Sequence, residues 1–173
     1  SIAPDALAVH ITNDAAADSW PVWSPDGRSI VYTSASGGSM ETRVMPANGG
    51  PGQKLIDGFF RGDWVEQPDG SGTWIVTSNG TEAIRLIDVE KRAVLWEERV
   101  VGSGFGMPTF SPDRRSISVP YEEDRDHDSV AIFDAATHQR RLAVRLLFHV
   151  NFRAAWTDNG TALIVNRADT ISH

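Results

Sequence analysis

A short turn motif occurs four times in this chain, and its regular spacing constrains the fold more than any other feature. The first copy spans residues 23–27 and reads Trp-Ser-Pro-Asp-Gly. The other copies are Gln-Pro-Asp-Gly at 67–70, Phe-Ser-Pro-Asp-Arg at 110–114 and Trp-Thr-Asp-Asn-Gly at 156–160. Their last residues are 43, 44 and 46 positions apart. A fixed period in this range is typical of repeat proteins, in which each repeat forms one structural unit.

Each copy of the motif lies between two apolar runs that favour β-strands, such as residues 20–23 before the first copy and 29–33 after it. Proline presets φ at the first corner of a turn, aspartate bonds to nearby backbone, and glycine adopts the left-handed corner. Pro-Asp-Gly between two apolar runs therefore predicts a β-hairpin. In the third copy Arg114 replaces the glycine, so this turn either accepts a positive φ at arginine or adopts a different type.

Two more short strands follow in each complete repeat, so four strands fill about 40–45 residues. The third strands are predicted at residues 42–45, 83–87 and 129–133, and the fourth at 53–55, 93–96 and 140–144. No stretch shows a sustained 3.6-residue apolar period, so no helix is predicted. The pattern predicts an all-β fold, a β-propeller built from four-stranded antiparallel blades.

The chain is predicted to be a single partial β-propeller domain covering residues 1–173, with about three complete blades and two partial ones. The complete blades are predicted at 18–56, 61–98 and 105–146. The partial blades are a last strand at residues 7–11 and the first strands of another blade within 152–173. Because closed propellers contain about four to eight blades, either the chain is part of a larger propeller or a second copy completes the ring as a homodimer.

The motif begins with an aromatic residue in three of its four copies, namely Trp23, Phe110 and Trp156. A large side chain that recurs at one position of a repeat favours packing between neighbouring units over binding of a ligand. We therefore predict that all three aromatic side chains are buried between blades.

The order of these segments resembles the WD-like Pro-Asp repeat of TolB-like β-propellers. Residues 18–56 carry the closest likeness, with Trp-Ser-Pro-Asp-Gly, an Ile-Val-Tyr strand and a Gly-Gly turn in sequence. The second repeat departs from the pattern because Glu66 stands where the aromatic residue is expected. The resemblance implies a bacterial protein, periplasmic or otherwise extracytoplasmic. Such propellers serve as binding modules, sensor domains and gates of peptidases, so a protein or peptide partner is expected.

Composition excludes several other classes of function. The net charge is −7 and the 16 basic residues are scattered, so the chain has no basic surface for nucleic acid. No apolar run approaches the roughly 18 residues of a membrane span. The chain has no cysteine, which excludes disulfides, thiolate metal sites and a cysteine nucleophile. The Gly-rich residues 102–106 lack the helix that a serine elbow or a phosphate loop requires. No catalytic residue and no cofactor are predicted.

An acidic loop contains Asp124, Asp126 and Asp128 with the alternating spacing that opens a calcium-binding loop. Ser129 follows where such a loop has glycine, and Ala135 stands where a bidentate glutamate would close it. We interpret the segment as a solvated connection between strands and predict no metal site, with calcium binding at these three aspartates as the alternative.

Trp20 and Trp64 lie near the predicted starts of first strands, where the central channel of a propeller opens, and are the candidates for contact with a partner. The leading function is a non-catalytic binding module in a larger bacterial envelope or sensor protein. One alternative is the gating propeller of a prolyl-oligopeptidase-like serine peptidase whose hydrolase domain lies outside these residues. Another is a propeller lyase or lactonase with metal ligands in the channel, for which Asp63 is the one suitable residue.

Overall fold

The computed structural model describes residues 10–13, 15–78, 83–99, 106–146 and 150–167, and all the regular structure in these ranges is β-strand. Blade 1 consists of β1 (Ala17–Trp23), β2 (Ser29–Ser36), β3 (Ser39–Pro46) and β4 (Gln53–Asp57). Blade 2 consists of β5 (Gly62–Glu66), β6 (Thr73–Ser78), β7 (Ala83–Asp88) and β8 (Ala93–Arg99). Blade 3 consists of β9 (Thr109–Phe110), β10 (Ser116–Glu122), β11 (Asp128–Asp134) and β12 (Arg140–Arg145). Blade 4 is described as a hairpin of β13 (Val150–Trp156) and β14 (Leu163–Arg167).

The strands of blades 1 to 3 are paired in chain order, and every pair is antiparallel. Consecutive first strands contact one another, β1 with β5, β5 with β9 and β9 with β13. The first strands therefore lie nearest the common axis. The fourth strands lie outside, and every residue of β12 is exposed. The predicted all-β propeller with four-stranded antiparallel blades is confirmed. No helix in the described part of the chain is long and apolar enough to cross a membrane.

The four motif copies form turns with one hydrogen-bond pattern. In each turn, the N–H of the last motif residue donates to the carbonyl oxygen three residues earlier, at 2.8–2.9 Å. The last residue has a positive φ in every copy: 70° at Gly27, 71° at Gly70, 62° at Arg114 and 68° at Gly160. Of the two outcomes that the sequence allows for the third turn, the structure shows the left-handed arginine, a conformation that costs about 1–2 kcal/mol for a residue with a Cβ atom.

Side chains brace the same turns. Ser24 Oγ donates to Asp26 Oδ1 at 2.6 Å, and that oxygen also accepts the N–H of Arg28 at 3.0 Å. Ser111 and Asp113 repeat the first of these bonds at 2.6 Å in blade 3. The serine and the aspartate of the motif therefore act together to fix the hairpin.

Apolar side chains from facing blades form the core. The largest cluster joins blades 2 and 3 and includes Val76, Ile84, Leu86, Phe110, Ile117 and Phe133. A second cluster joins blades 1 and 2 and includes Val31, Phe60, Trp64, Ile75 and Ile87. Alternate residues along each strand contribute to opposite faces of a blade, as the period of a β-strand requires.

The aromatic motif position is buried in one blade and exposed in another. Phe110 is 6% exposed and stacks on Trp74 of blade 2, with ring centroids 6.4 Å apart. Trp156 is half-buried and donates its indole N–H to the carbonyl oxygen of Thr109 at 3.4 Å. Trp23 is 58% exposed, so the prediction that it is buried was wrong. Phe110 is covered by the preceding blade, blade 2. No blade precedes blade 1 among the described residues, so Trp23 is not covered in the same way.

A short segment occupies part of that open face of blade 1. Ile11 packs against the cluster of Ile30, Tyr32 and Met45 but leaves Trp23 in solvent. Of the strand predicted at residues 7–11, His10 and Ile11 form no strand and the rest lies outside the described residues. Within the partial blade predicted at 152–173, the residues beyond 167 also lie outside them.

Candidate functional site at the inner ends of the first strands

One position near the axis differs chemically in every blade. It lies seven residues before the end of each motif copy and holds Trp20, Asp63, Met107 and Arg153. Met107, just ahead of β9, forms an isolated parallel bridge with Arg153 of β13. Because first strands lie nearest the axis, these four residues belong to the inner part of the propeller. The positions that build turns repeat, whereas this one does not.

The backbone of blade 1 is deformed at Trp20. The pairing of β1 with β2 shifts register between Ser19 and Val22, which marks a β-bulge. Trp20 lies inside this bulge with φ at 56°. A positive φ at so bulky a residue is a genuine outlier, and such strain costs of order 1–3 kcal/mol. The bulge redirects the indole ring, which remains 42% exposed.

The connection from blade 1 to blade 2 places two further side chains against that ring. Phe59 meets Trp20 edge to face, with ring centroids 6.2 Å apart and an interplanar angle of 75°. Arg61 lies over the indole, with Cζ 4.9 Å from the ring centroid, which is a cation–π contact. Partial burial lowers the pKa of the Arg61 guanidinium because desolvation disfavours its charged form. We call Trp20, Phe59 and Arg61 the inner site.

Buried backbone contacts hold this connection in place. The N–H of Phe60 donates to Thr33 Oγ1 at 2.8 Å, and that hydroxyl donates back to the carbonyl oxygen of Phe60 at 3.0 Å. The N–H of Arg61 donates to Thr77 Oγ1 at 3.0 Å. These hydroxyls come from β2 and β6, so both neighbouring blades position the inner site.

Gly62 explains how closely the connection approaches blade 2. A Cβ atom at this position would lie 1.8 Å from the carbonyl oxygen of Val76. Only glycine permits this close approach of the start of β5 to β6.

Asp63 links blades rather than offering a free carboxylate. Its Oδ2 accepts the N–H of Phe110 in blade 3 at 3.1 Å, and its Oδ1 accepts the N–H of Trp64 at 2.9 Å. Burial raises the pKa of Asp63, while these two backbone donors and the charge of Arg153 oppose the rise. No group of three or more His, Cys, Asp or Glu side chains suited to a metal ion occurs in the described parts of the chain.

The two tryptophans predicted to contact a partner differ in their exposure. Trp64 is 7% exposed and belongs to the core between blades 1 and 2, so it offers a partner almost no surface. Trp20 is the exposed member of the pair. Sequence reasoning missed Phe59 and Arg61, whose only signal is an aromatic–basic pair in the connection just before a first strand.

The three aspartates of the acidic loop do not meet at one point. Asp124 Oδ1 accepts the N–H of Asp126 at 2.9 Å and contacts His127 Nδ1 at 2.8 Å. The bond from Asp126, then that from His127, lowers the pKa of Asp124 to about 2. The Arg145 guanidinium also pairs with Asp124. Asp126 is exposed and Asp128 is buried in β11, so the ionic contacts of these three aspartates are made by Asp124.

Comparison with known proteins identifies the fold. TolB from Acinetobacter baumannii is similar in structure, with a TM-score of 0.58 and 22% identity over 83% of this chain and 36% of TolB. A TolB candidate from Agrobacterium tumefaciens gives a TM-score of 0.61 and 18% identity over 87% of this chain and 55% of that one. This chain therefore spans about a third to a half of these structures. No protein-family model matches the sequence, and no curated protein matches it significantly. The chain has a TolB-like β-propeller fold.

Proposed function

We propose that this chain is a non-catalytic binding module of a larger bacterial envelope or sensor protein, and that it contacts a protein or peptide partner through the inner site. The observation that carries the proposal is the bulge at Trp20, where φ is 56° and the ring is 42% exposed. The strained backbone costs free energy, yet it leaves a large part of the indole accessible to a partner. Strain of this kind clusters at binding sites, where it preorganises a contact.

The side chains of the inner site define what a partner presents. The free surface of the Trp20 ring suits an apolar or aromatic group, and tryptophan and arginine are the residues that most often dominate interface energy. Arg61, which already lies over the ring, supplies donors for a carboxylate or a backbone carbonyl. A peptide that offers an apolar side chain next to an acceptor group fits both. The TolB-like fold supports a periplasmic or other extracytoplasmic location for such a module.

The second partner that we propose is another copy of the chain, in a homodimer that completes the propeller. Two blade faces support it, because Trp23 on blade 1 and Ile164 on blade 4 are 58% and 59% exposed. Light scattering on the purified chain tests this part of the proposal, and a monomer at every concentration would contradict it.

Peptide selection tests the inner site. Peptides are selected from a random library on the unmodified chain, and their affinities are measured for Trp20→Ala, Arg61→Gln and Trp23→Ala. The last variant is the matched control, since it removes an exposed tryptophan away from the inner site. We expect Trp20→Ala to weaken binding about 30-fold, the size of an interface hot spot of about 2 kcal/mol. Arg61→Gln should weaken it about tenfold, and Trp23→Ala should leave it unchanged. The proposal would be refuted if the selected peptides bound both inner-site variants as tightly as they bind the unmodified chain.

The gating-propeller alternative makes a different prediction. A gate admits substrate to a hydrolase domain, so the partner would be another domain of the same protein and the inner site would select no peptide. Failure of the selection together with a serine-hydrolase motif elsewhere in the parent protein would favour that alternative.

A further inference from the structure

The interface between blades 1 and 2 lacks an aromatic pair that is present between blades 2 and 3. In the latter interface, Phe110 stacks on Trp74 with ring centroids 6.4 Å apart. Phe110 is the first residue of its motif copy, and Trp74 lies four residues after the end of its own copy. The equivalent residues at the interface of blades 1 and 2 are Glu66 and Val31. A carboxylate and a short apolar side chain therefore take the place of two rings.

A cleft of about 430 Å³ opens at this interface, beside the motif turns of both blades. Its volume lies in the range of small-molecule sites in proteins. Both blades that form it are four-stranded, so the cleft does not depend on what covers the ends of the blade series. It is also separate from the inner site, because Arg61 precedes the first residue of β5 and Glu66 is the last residue of that strand. The side chains that give the cleft its chemistry are Asp26, Val44, Trp64, Glu66, Val89 and Glu90.

The three carboxylates of the cleft are held in place by other groups of the protein. Arginines pair with two of them, Arg114 with Glu66 at 3.3 Å and Arg28 with Asp26 at 4.0 Å. The third, Glu90, accepts the backbone N–H and the hydroxyl of the first residue of β6 at 2.8 and 2.9 Å. A carboxylate has about four lone-pair sites, so all three can still accept hydrogen bonds from a ligand. Because two of the charges already have a cationic neighbour, the cleft suits an uncharged donor better than a cation.

One residue of the cleft carries a hydrogen-bond donor without an acceptor. Trp64 is 7% exposed, and its Nε1 is buried with no hydrogen-bond partner among the described residues. The buried side chains in its core cluster are Val31, Phe60, Ile75 and Ile87, which contain only carbon and hydrogen. Buried polar groups are nearly always paired in proteins. The acceptor for this N–H therefore has to come from the polar side of Trp64, which is the cleft.

We infer that this cleft binds a saccharide. A hydroxyl group both donates and accepts hydrogen bonds, so it is the group that suits the carboxylates and the indole N–H at the same time. A sugar ring carries several hydroxyls around an apolar body, which matches carboxylates that surround Val44 and Val89. Because Nε1 of Trp64 is closed to solvent in this structure, binding includes a small adjustment of the ring, a change that side chains at binding surfaces commonly make. This inference goes beyond the proposed function and does not depend on the inner site.

A glycan array of common mono- and disaccharides, probed with the unmodified chain, tests the inference and selects the saccharide for affinity measurements. Glu66→Phe restores the aromatic residue of the repeat and fills the cleft, so we expect it to weaken binding at least about tenfold. The matched control is Glu97→Phe, because Glu97 also pairs with an arginine, Arg85 at 2.7 Å, but does not line the cleft. This control should bind as the unmodified chain does. An array that captures nothing, or equal affinity in Glu66→Phe, would overturn the inference.

The indole N–H signals of the ¹⁵N-labelled chain, assigned from triple-resonance spectra, show where the saccharide binds. Titration with the selected saccharide should shift the Trp64 signal. An unchanged Trp64 signal, or a shift confined to Trp20, would overturn the inference, and the latter would place the sugar in the inner site. Phenethylamine is titrated in parallel as an aromatic cation. If it shifts the Trp64 signal and the saccharide does not, the cleft binds cations and the inferred ligand class is wrong. Circular dichroism of each variant confirms that a loss of binding is not a loss of fold.

Discussion

The sharpest test of this structure replaces the aromatic residue of the motif by alanine in two different blades. Phe110 and Trp23 occupy the same repeat position, yet Phe110 is 6% exposed and Trp23 is 58% exposed. Phe110→Ala should therefore be strongly destabilising and Trp23→Ala only mildly so, although tryptophan is the larger residue. The repeat alone predicts equal roles for the two residues, whereas the structure predicts unequal ones.

The magnitudes follow from buried area. An aromatic side chain buries roughly 200 Å², and nearly all of this is removed from water at Phe110, which corresponds to about 5 kcal/mol at about 25 cal/mol per Å². This figure is an upper bound. Measured Phe→Ala costs are about 3–5 kcal/mol, so we expect about 4 kcal/mol. Less than half of Trp23 is covered, and solvent fills the space left by truncation, so we expect about 1 kcal/mol.

Urea unfolding followed by circular dichroism at low protein concentration measures both costs on the monomer. Low concentration matters because a second copy that covers Trp23 would add to the apparent cost of its removal. Phe110→Leu is the control, since it keeps an apolar side chain in the cluster and should cost less than Phe110→Ala. If Trp23→Ala were as costly as Phe110→Ala under these conditions, the assignment of blade 1 as an uncovered face would be refuted.

Four further outcomes are expected. Gly62→Ala should lower the free energy of unfolding by about 2–3 kcal/mol in urea, because its Cβ would lie 1.8 Å from a carbonyl oxygen; an unchanged midpoint would contradict that contact. Asp63 has a raised pKa, so its contribution to stability is greatest below the unfolded pKa of 3.8 and is lost as the pH rises through the folded pKa. The stability of Asp63→Asn relative to that of the unmodified chain should therefore increase as the pH rises above 3.8; parallel stability profiles would contradict this. Calcium at about 1 mM should leave the melting temperature unchanged, and a rise lost in Asp124→Asn would reverse our interpretation of the acidic loop. The purified chain should not cleave fluorogenic peptides, because its sequence has no nucleophile motif; turnover abolished by a serine inhibitor would show otherwise.

The turn motif allowed the scaffold to be predicted, because turn chemistry is local. Proline, aspartate and glycine act on the backbone within a few residues of themselves, so four copies gave four turns of the same hydrogen-bond pattern. Arg114 shows how strong this local pattern is, since the turn keeps its positive φ of 62° without glycine. The order of strands within each blade follows from the apolar runs between these turns.

Burial at the motif position could not be predicted in the same way, because it depends on what a neighbouring blade supplies. Phe110 is buried because Trp74 faces it, and nothing in residues 110–114 reports that contact. Trp64 was predicted to face a partner from its place near the start of a strand. Its side chain instead lies in the core between blades 1 and 2, in one cluster with Val31, Phe60 and Ile75. A shift of one residue along a strand reverses the face, so a position near the channel mouth does not determine exposure.

The inner site was not predicted from the sequence, for a related reason. It combines a bulge in β1 with a connection that is 39 or more residues further along the chain, and no local pattern joins Trp20 to Phe59 or Arg61. Pro21 lies inside this bulge and is its local signal, because proline cannot donate a hydrogen bond to the strand ladder. The positive φ at Trp20 has no such signal and is seen only in the folded chain.

The contrast between repeated and unrepeated positions supports the proposed site. A residue that serves only the blade meets the same surroundings in each repeat, so the same chemistry suffices, as with the serine and aspartate of the turns. The position seven residues before the motif end holds an indole, a carboxylate, a thioether and a guanidinium in successive blades. Blade architecture alone gives no reason for four such different groups at equivalent points around one axis. One of them, Asp63, connects two blades, and Trp20 has a strained backbone conformation and is 42% exposed. Trp20 combines a costly conformation with an exposed surface, and we therefore propose that a partner contacts it. The first binding experiment belongs at this residue.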